Sequence, residues 1–98
     1  MSVDISLVKK ILGTYIVDNY GIVFKLRKLD LEGDYWRAVF GYQHMALGRY
    51  IGDIGEIRVD AKTGEIVAAP SREDVRGKVL EYQRKIDKAM NMIKEGKI

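Results

Sequence analysis

The run Glu56-Ile57-Arg58-Val59-Asp60-Ala61-Lys62-Thr63-Gly64-Glu65-Ile66-Val67 constrains the fold more than any other stretch of the chain. Apolar and polar residues alternate on both sides of Asp-Ala-Lys-Thr-Gly, the pattern of two strands, each with one buried face, joined by a tight connection. Gly64 supplies the positive φ that such a connection needs, and Asp60 is placed to accept hydrogen bonds from the turn amides. Turn chemistry accounts for Asp60, and Glu65 reads as a solvated strand residue, so the two do not form an acid-base pair. A hairpin of this kind commits the chain to an antiparallel sheet.

The rest of the sequence supplies the layers around that sheet. From a cap at Ser2 or Asp4, apolar residues recur at Ile5, Val8, Leu12, Tyr15 and Ile16, a spacing that predicts a helix ending near Asn19. Leu7 and Ile11 widen its apolar arc, and a second surface is expected to cover that flank. Ile22, Phe24 and Leu26 then alternate with polar neighbours as a strand, and the phase slips at Leu29 and Leu31, which predicts a bulge or a strand end. After a turn at Glu32-Gly33-Asp34, the residues Trp36, Ala38, Phe40 and Tyr42 share one face of a second strand. Residues 43–55 carry Gly48, Gly52 and Gly55 without sustained periodicity, and read either as a loop or as an irregular, glycine-kinked strand.

Beyond Pro70, Ser71 and Asp74 have the spacing of a capping box. Val75, Val79, Tyr82, Ile86, Ala89 and Ile93 then fall at alternating steps of four and three, a heptad seam on a helix whose other faces are charged. The expected fold class is therefore α+β: an N-terminal helix packed on a three- to four-stranded antiparallel sheet, followed by a long C-terminal amphipathic helix. At 98 residues the chain makes one domain, with a helix-plus-sheet core over 1–69 and the terminal helix over 71–96.

The order helix, strand, Tyr35-Trp36-Arg37-Ala38-Val39 strand and Ile57-to-Ile66 hairpin is similar to the PepSY family, over roughly Ile5 to Val67. That resemblance implies a single helix laid across a small antiparallel sheet. It also implies a non-enzymatic regulatory or inhibitory module associated with peptidases. The terminal heptad helix is an addition to the family's minimal pattern.

Composition closes several other classes. The chain has no cysteine, which removes disulfides, thiolate nucleophiles and cysteine metal sites, and His44 is its single histidine. No GxxxxGK[ST] motif accompanies the glycines, so neither a cofactor nor a metal is expected, and the chain reads as not an enzyme. No window approaches the 18 or so apolar residues of a membrane span, and the start lacks the order of a signal peptide, so a cytoplasmic location without membrane contact is expected. Sparse Asn and Gln beside many charged residues resemble the composition of proteins from hot environments.

What remains is recognition. The candidate interaction residues are Tyr42, His44, Arg49 and Tyr50 on the glycine-rich segment and Val79, Tyr82, Ile86 and Ile93 on the helix seam, with self-association or a protein partner as the expected outcome. The alternative is nucleic acid: Lys25, Arg27, Tyr35, Arg37 and Arg58 fall on the sheet face opposite the first helix, a basic platform for single strands with Glu56 as its counterweight. The helix seam would be poorly placed on that charged face. It is expected to settle on the Leu7 and Ile11 flank of the first helix or on a second copy of the chain.

Overall fold

In the computed structural model, which describes the backbone of residues 3–94 and side chains as far as Met92, the chain runs α1 (Ile5–Asn19), β1 (Phe24–Glu32), β2 (Tyr35–His44), β3 (Arg49–Asp60), β4 (Ile66–Ala68) and α2 (Arg72–Lys94). The strands form one antiparallel sheet in the order β1-β2-β3-β4. This is the expected α+β architecture, with all four strands present. No described helix is long and apolar enough to cross a membrane.

Local chemistry sets the element ends. Asp4 caps α1 by accepting the Leu7 amide at 2.9 Å. Ser71 caps α2 by accepting the Asp74 amide at 3.1 Å. In the β3–β4 connection, Asp60 Oδ1 accepts the amides of Lys62 and Thr63 at 2.8 and 2.9 Å, while Gly64 takes φ 77°. These bonds satisfy backbone donors that a turn leaves outside the ladder.

The register of the sheet shifts at four places, once between β1 and β2, twice between β2 and β3, and once between β3 and β4, where Val67 is skipped. In β1, Leu26 lies opposite Phe40 and Lys28 opposite Val39, so Arg27 is an extra residue and the phase is reset. Leu29 and Leu31 thereby return to the side of Ala38 and Trp36, and the strand continues to Glu32 instead of ending. In β3 the register against β2 skips Ile54 and again Ile51. Both isoleucines turn toward the core, Ile54 with 6% exposure and Ile51 partly buried against the same cluster. Residues 43–55 are thus the end of one strand, a turn over Met45–Gly48, and an irregular strand.

The core joins Val8, Leu12 and Ile16 of α1 to Ala38, Phe40 and Tyr42 of β2, to Ile54, Ile57 and Val59 of β3, and to Val75 of α2. Both helices therefore pack on the same face of the sheet. A helix of 15 residues is about 22 Å long, whereas the 12 residues of β3 extend about 40 Å, so α1 alone leaves the far half of the apolar face open. The first half of α2 closes it. This corrects the expectation that the seam settles on the flank of α1: Leu7 stays 47% exposed, and Ile11 lies beside Gly64 in the β3–β4 connection.

Candidate functional site

The face of the sheet turned away from both helices carries the five expected residues, but it is not a free basic platform. Arg27 grips Asp53 with two bonds, Nε to Oδ1 at 2.6 Å and a terminal nitrogen to Oδ2 at 2.8 Å. Arg37 Nε reaches Glu56 at 2.6 Å, and Arg58 approaches the same carboxylate at 3.4 Å while its guanidinium lies 4.9 Å from the centre of the Tyr35 ring. Arg37 also faces Glu32 at 3.8 Å, and Lys28 faces Asp30 at 3.5 Å. Arg27 holds the Asp53 carboxyl below its ordinary range, with the Tyr50 hydroxyl assisting, and Arg37 does the same to Glu56.

The β3 bulges make this arrangement possible. They place Tyr50, Asp53 and Glu56, three residues apart, on one face of a strand, which plain alternation would not allow. Arg27 on β1 meets Asp53 on β3 across the intervening β2, where Gly41 has no side chain to obstruct them. A Cβ on Gly41 would collide with the Tyr50 ring and with the Gly52 carbonyl. The Tyr50 hydroxyl donates to Asp53 at 2.5 Å, and burial, then that bond, raises its pKa above the usual phenol range.

The expected interaction residues separate into different roles. Tyr42 is not a loop residue open to partners: it is 5% exposed within β2, packed between Phe24 and Tyr82. His44 ends β2, and its Nδ1 accepts the Leu47 amide at 3.1 Å, which ties down the turn. Arg49 is exposed at the start of β3, and Tyr50 belongs to the charged network on the opposite face. Met45 and Leu47, at the tip of the β2–β3 hairpin, are 66% and 43% exposed; the sequence pattern did not single them out.

On α2, Val79, Tyr82 and Ile86 face the sheet of their own chain. Tyr82 lies nearly parallel to Tyr42 at 6.4 Å between centroids and donates its hydroxyl to the Asp53 carbonyl at 2.9 Å. Its ring occupies the space over Gly52, where a Cβ would have no room. The seam is therefore satisfied in cis as far as Ile86. Beyond it Ala89, Met90 and Met92 are exposed, Met90 by 50%. The side chain of Ile93 and the expected helix end at 95–96 lie outside the described residues.

Among the described residues, no three His, Asp or Glu side chains come together as a metal site would require. Asp53 and Glu56 on the sheet face are bonded to arginines, which favours their ionised forms. The arrangement is suited to holding strands in register. No protein-family model, no curated protein and no solved structure matches this chain.

Proposed function

We propose that this chain is a small non-enzymatic, PepSY-like interaction or regulatory module that acts by pairing with a second copy of itself through the outer half of α2. One observation carries the reading: the apolar stripe of α2 outruns the sheet that covers its first half. Ile86, Ala89 and Met90 stand at i, i+3 and i+4 on one side of the helix, and exposure rises from half-buried Ile86 to exposed Ala89 and Met90. The 23 residues of α2 span about 34 Å, and the molecule is correspondingly elongated at 59 × 23 × 21 Å. A two-fold pairing of such arms sets the same stripe against itself, and the small Ala89 lets the helix axes approach. The PepSY-like reading draws support from a helix laid over an antiparallel sheet that ends in the Asp60-to-Gly64 hairpin.

The nucleic-acid alternative has less support, because Arg27, Arg37 and Arg58 already face carboxylates and would have to exchange those partners for phosphates. Multi-angle light scattering tests the proposal. At about 100 μM, well above a micromolar dissociation constant, the chain is expected at twice its 11.2 kDa mass. Ala89→Glu combined with Met90→Glu, both at exposed positions, is expected to give the single-chain mass with an unchanged circular dichroism spectrum. A single-chain mass for the unaltered protein at that concentration overturns the reading.

A further inference from the structure

Where the end of α1, the start of β1 and the first turns of α2 converge, the surface opens into a cleft of about 300 Å³. Its apolar lining comes from Val23 and Phe24 on one side and Val75 and Val79 on the other, and Arg72 and Arg76 line it from α2. No Asp or Glu is among the lining residues. The two arginines are one helical turn apart and so project from the same face.

Their electrostatic position differs from that of the sheet arginines. Arg27, Arg37 and Arg58 each have a carboxylate within 4.0 Å, whereas among the described residues neither Arg72 nor Arg76 has one. Like charges at i and i+4 repel and weaken the helix that carries them, and an anion between them reverses the sign of that interaction. The combination of an apolar lining with two guanidiniums that have no described carboxylate within 4.0 Å is complementary to a ligand that is apolar along most of its length and anionic at one end. The volume lies at the lower end of small-molecule sites and holds about ten heavy atoms.

We propose that this cleft binds a small amphipathic carboxylate. Its chain or ring packs against Val23, Phe24, Val75 and Val79, and its carboxylate is held by Arg72 and Arg76. Octanoate is the probe, with octan-1-ol and octylamine as isosteres of neutral and opposite charge. In a ¹H–¹⁵N NMR titration of the full chain, octanoate is expected to shift the amides of Val23, Phe24, Arg76 and Val79 saturably, with a dissociation constant of about 1 mM or below. Octan-1-ol is expected to bind at least about tenfold more weakly, reflecting the missing charge-assisted bonds.

The double variant Arg72→Gln and Arg76→Gln, at two exposed positions, is expected to reduce octanoate to the affinity of the alcohol while leaving the thermal midpoint of the free protein unchanged or slightly raised, since the repulsion between the two charges is removed. Arg72→Glu with Arg76→Glu is expected to favour octylamine over octanoate. Three results overturn the proposal: no saturable shift with octanoate up to about 10 mM, equal responses to all three probes, or full octanoate affinity in the glutamine variant.

Discussion

Replacing Gly52 by alanine tests how α2 is held to the sheet. A Cβ at this position would lie 2.7 Å from Cζ and 2.9 Å from Cε1 of Tyr82, with the hydroxyl oxygen nearer still. Gly52 is not among the glycines with positive φ, so the strand itself accepts alanine and the ring has to move. Displacing the ring breaks the 2.9 Å bond from the Tyr82 hydroxyl to the Asp53 carbonyl, a loss of about 1 kcal/mol. It also separates Tyr82 from Tyr42, with a further loss of about 0.5–1.5 kcal/mol.

Alanine simultaneously restricts the unfolded chain, which returns about 0.4–1 kcal/mol. The net expectation is a destabilisation of about 0.5–2 kcal/mol, or a fall in midpoint of about 2–16 °C for a domain of this size. With Tyr82→Ala already in place, the space over Gly52 is empty, and the same change is expected to be neutral or to stabilise by up to about 1 kcal/mol. Urea unfolding of the four proteins, followed by the fluorescence of Trp36, measures the coupling, expected near 2 kcal/mol with a reversal of sign. An equal cost of Gly52→Ala with and without the Tyr82 ring refutes the packing argument.

Two further outcomes follow from the opposite face and from the turn. Gly41→Ala is expected to cost about 1–3 kcal/mol in the same unfolding assay, and Tyr50→Ala to relieve only part of that cost, because the Gly52 carbonyl also obstructs the new Cβ and is backbone; complete relief would assign the constraint to the tyrosine alone. Asp60 is held below its ordinary pKa of 3.8 by the Thr63 and Lys62 amides, so its contribution is present above pH 3.8 and is lost as the pH falls through the lower folded value. The stability gap between the native chain and Asp60→Asn is therefore expected to narrow below about pH 4, and a gap that stays constant through that range contradicts the turn bonding.

Much of the architecture was legible because it is written in local patterns. Val8, Leu12 and Ile16 mark one helical face; Trp36, Ala38, Phe40 and Tyr42 mark one strand face; Asp60 and Gly64 define a turn within their own neighbourhood. The phase slip after Leu26 also pointed toward the bulge that the strand contains at Arg27. The interaction candidates were less legible. Tyr42 stood next to a glycine-rich segment and looked accessible, yet its place opposite Gly52 and beneath Tyr82 depends on residues 10 and 40 positions away.

The same distinction governs charge. The register places Lys25, Arg27, Tyr35, Arg37 and Arg58 on one face, but whether that face is basic depends on what the neighbouring strands bring beside it. Asp53 reaches Arg27 only because β3 bulges at Ile51 and Ile54 and β2 carries a glycine between the two. A sequence pattern assigns residues to faces; register assigns them to partners.

The sequence by itself therefore determined a helix, a strand-turn-strand ladder and a seamed terminal helix, since each is specified by periodicity and caps over a few residues. Only the tertiary structure decided where that last helix lies. The reason is one of length and area: α1 is too short to cover the long strands, so the apolar half-face of Tyr42, Ile51 and Ile54 took up the seam as far as Ile86 and left Ala89 and Met90 beyond the sheet.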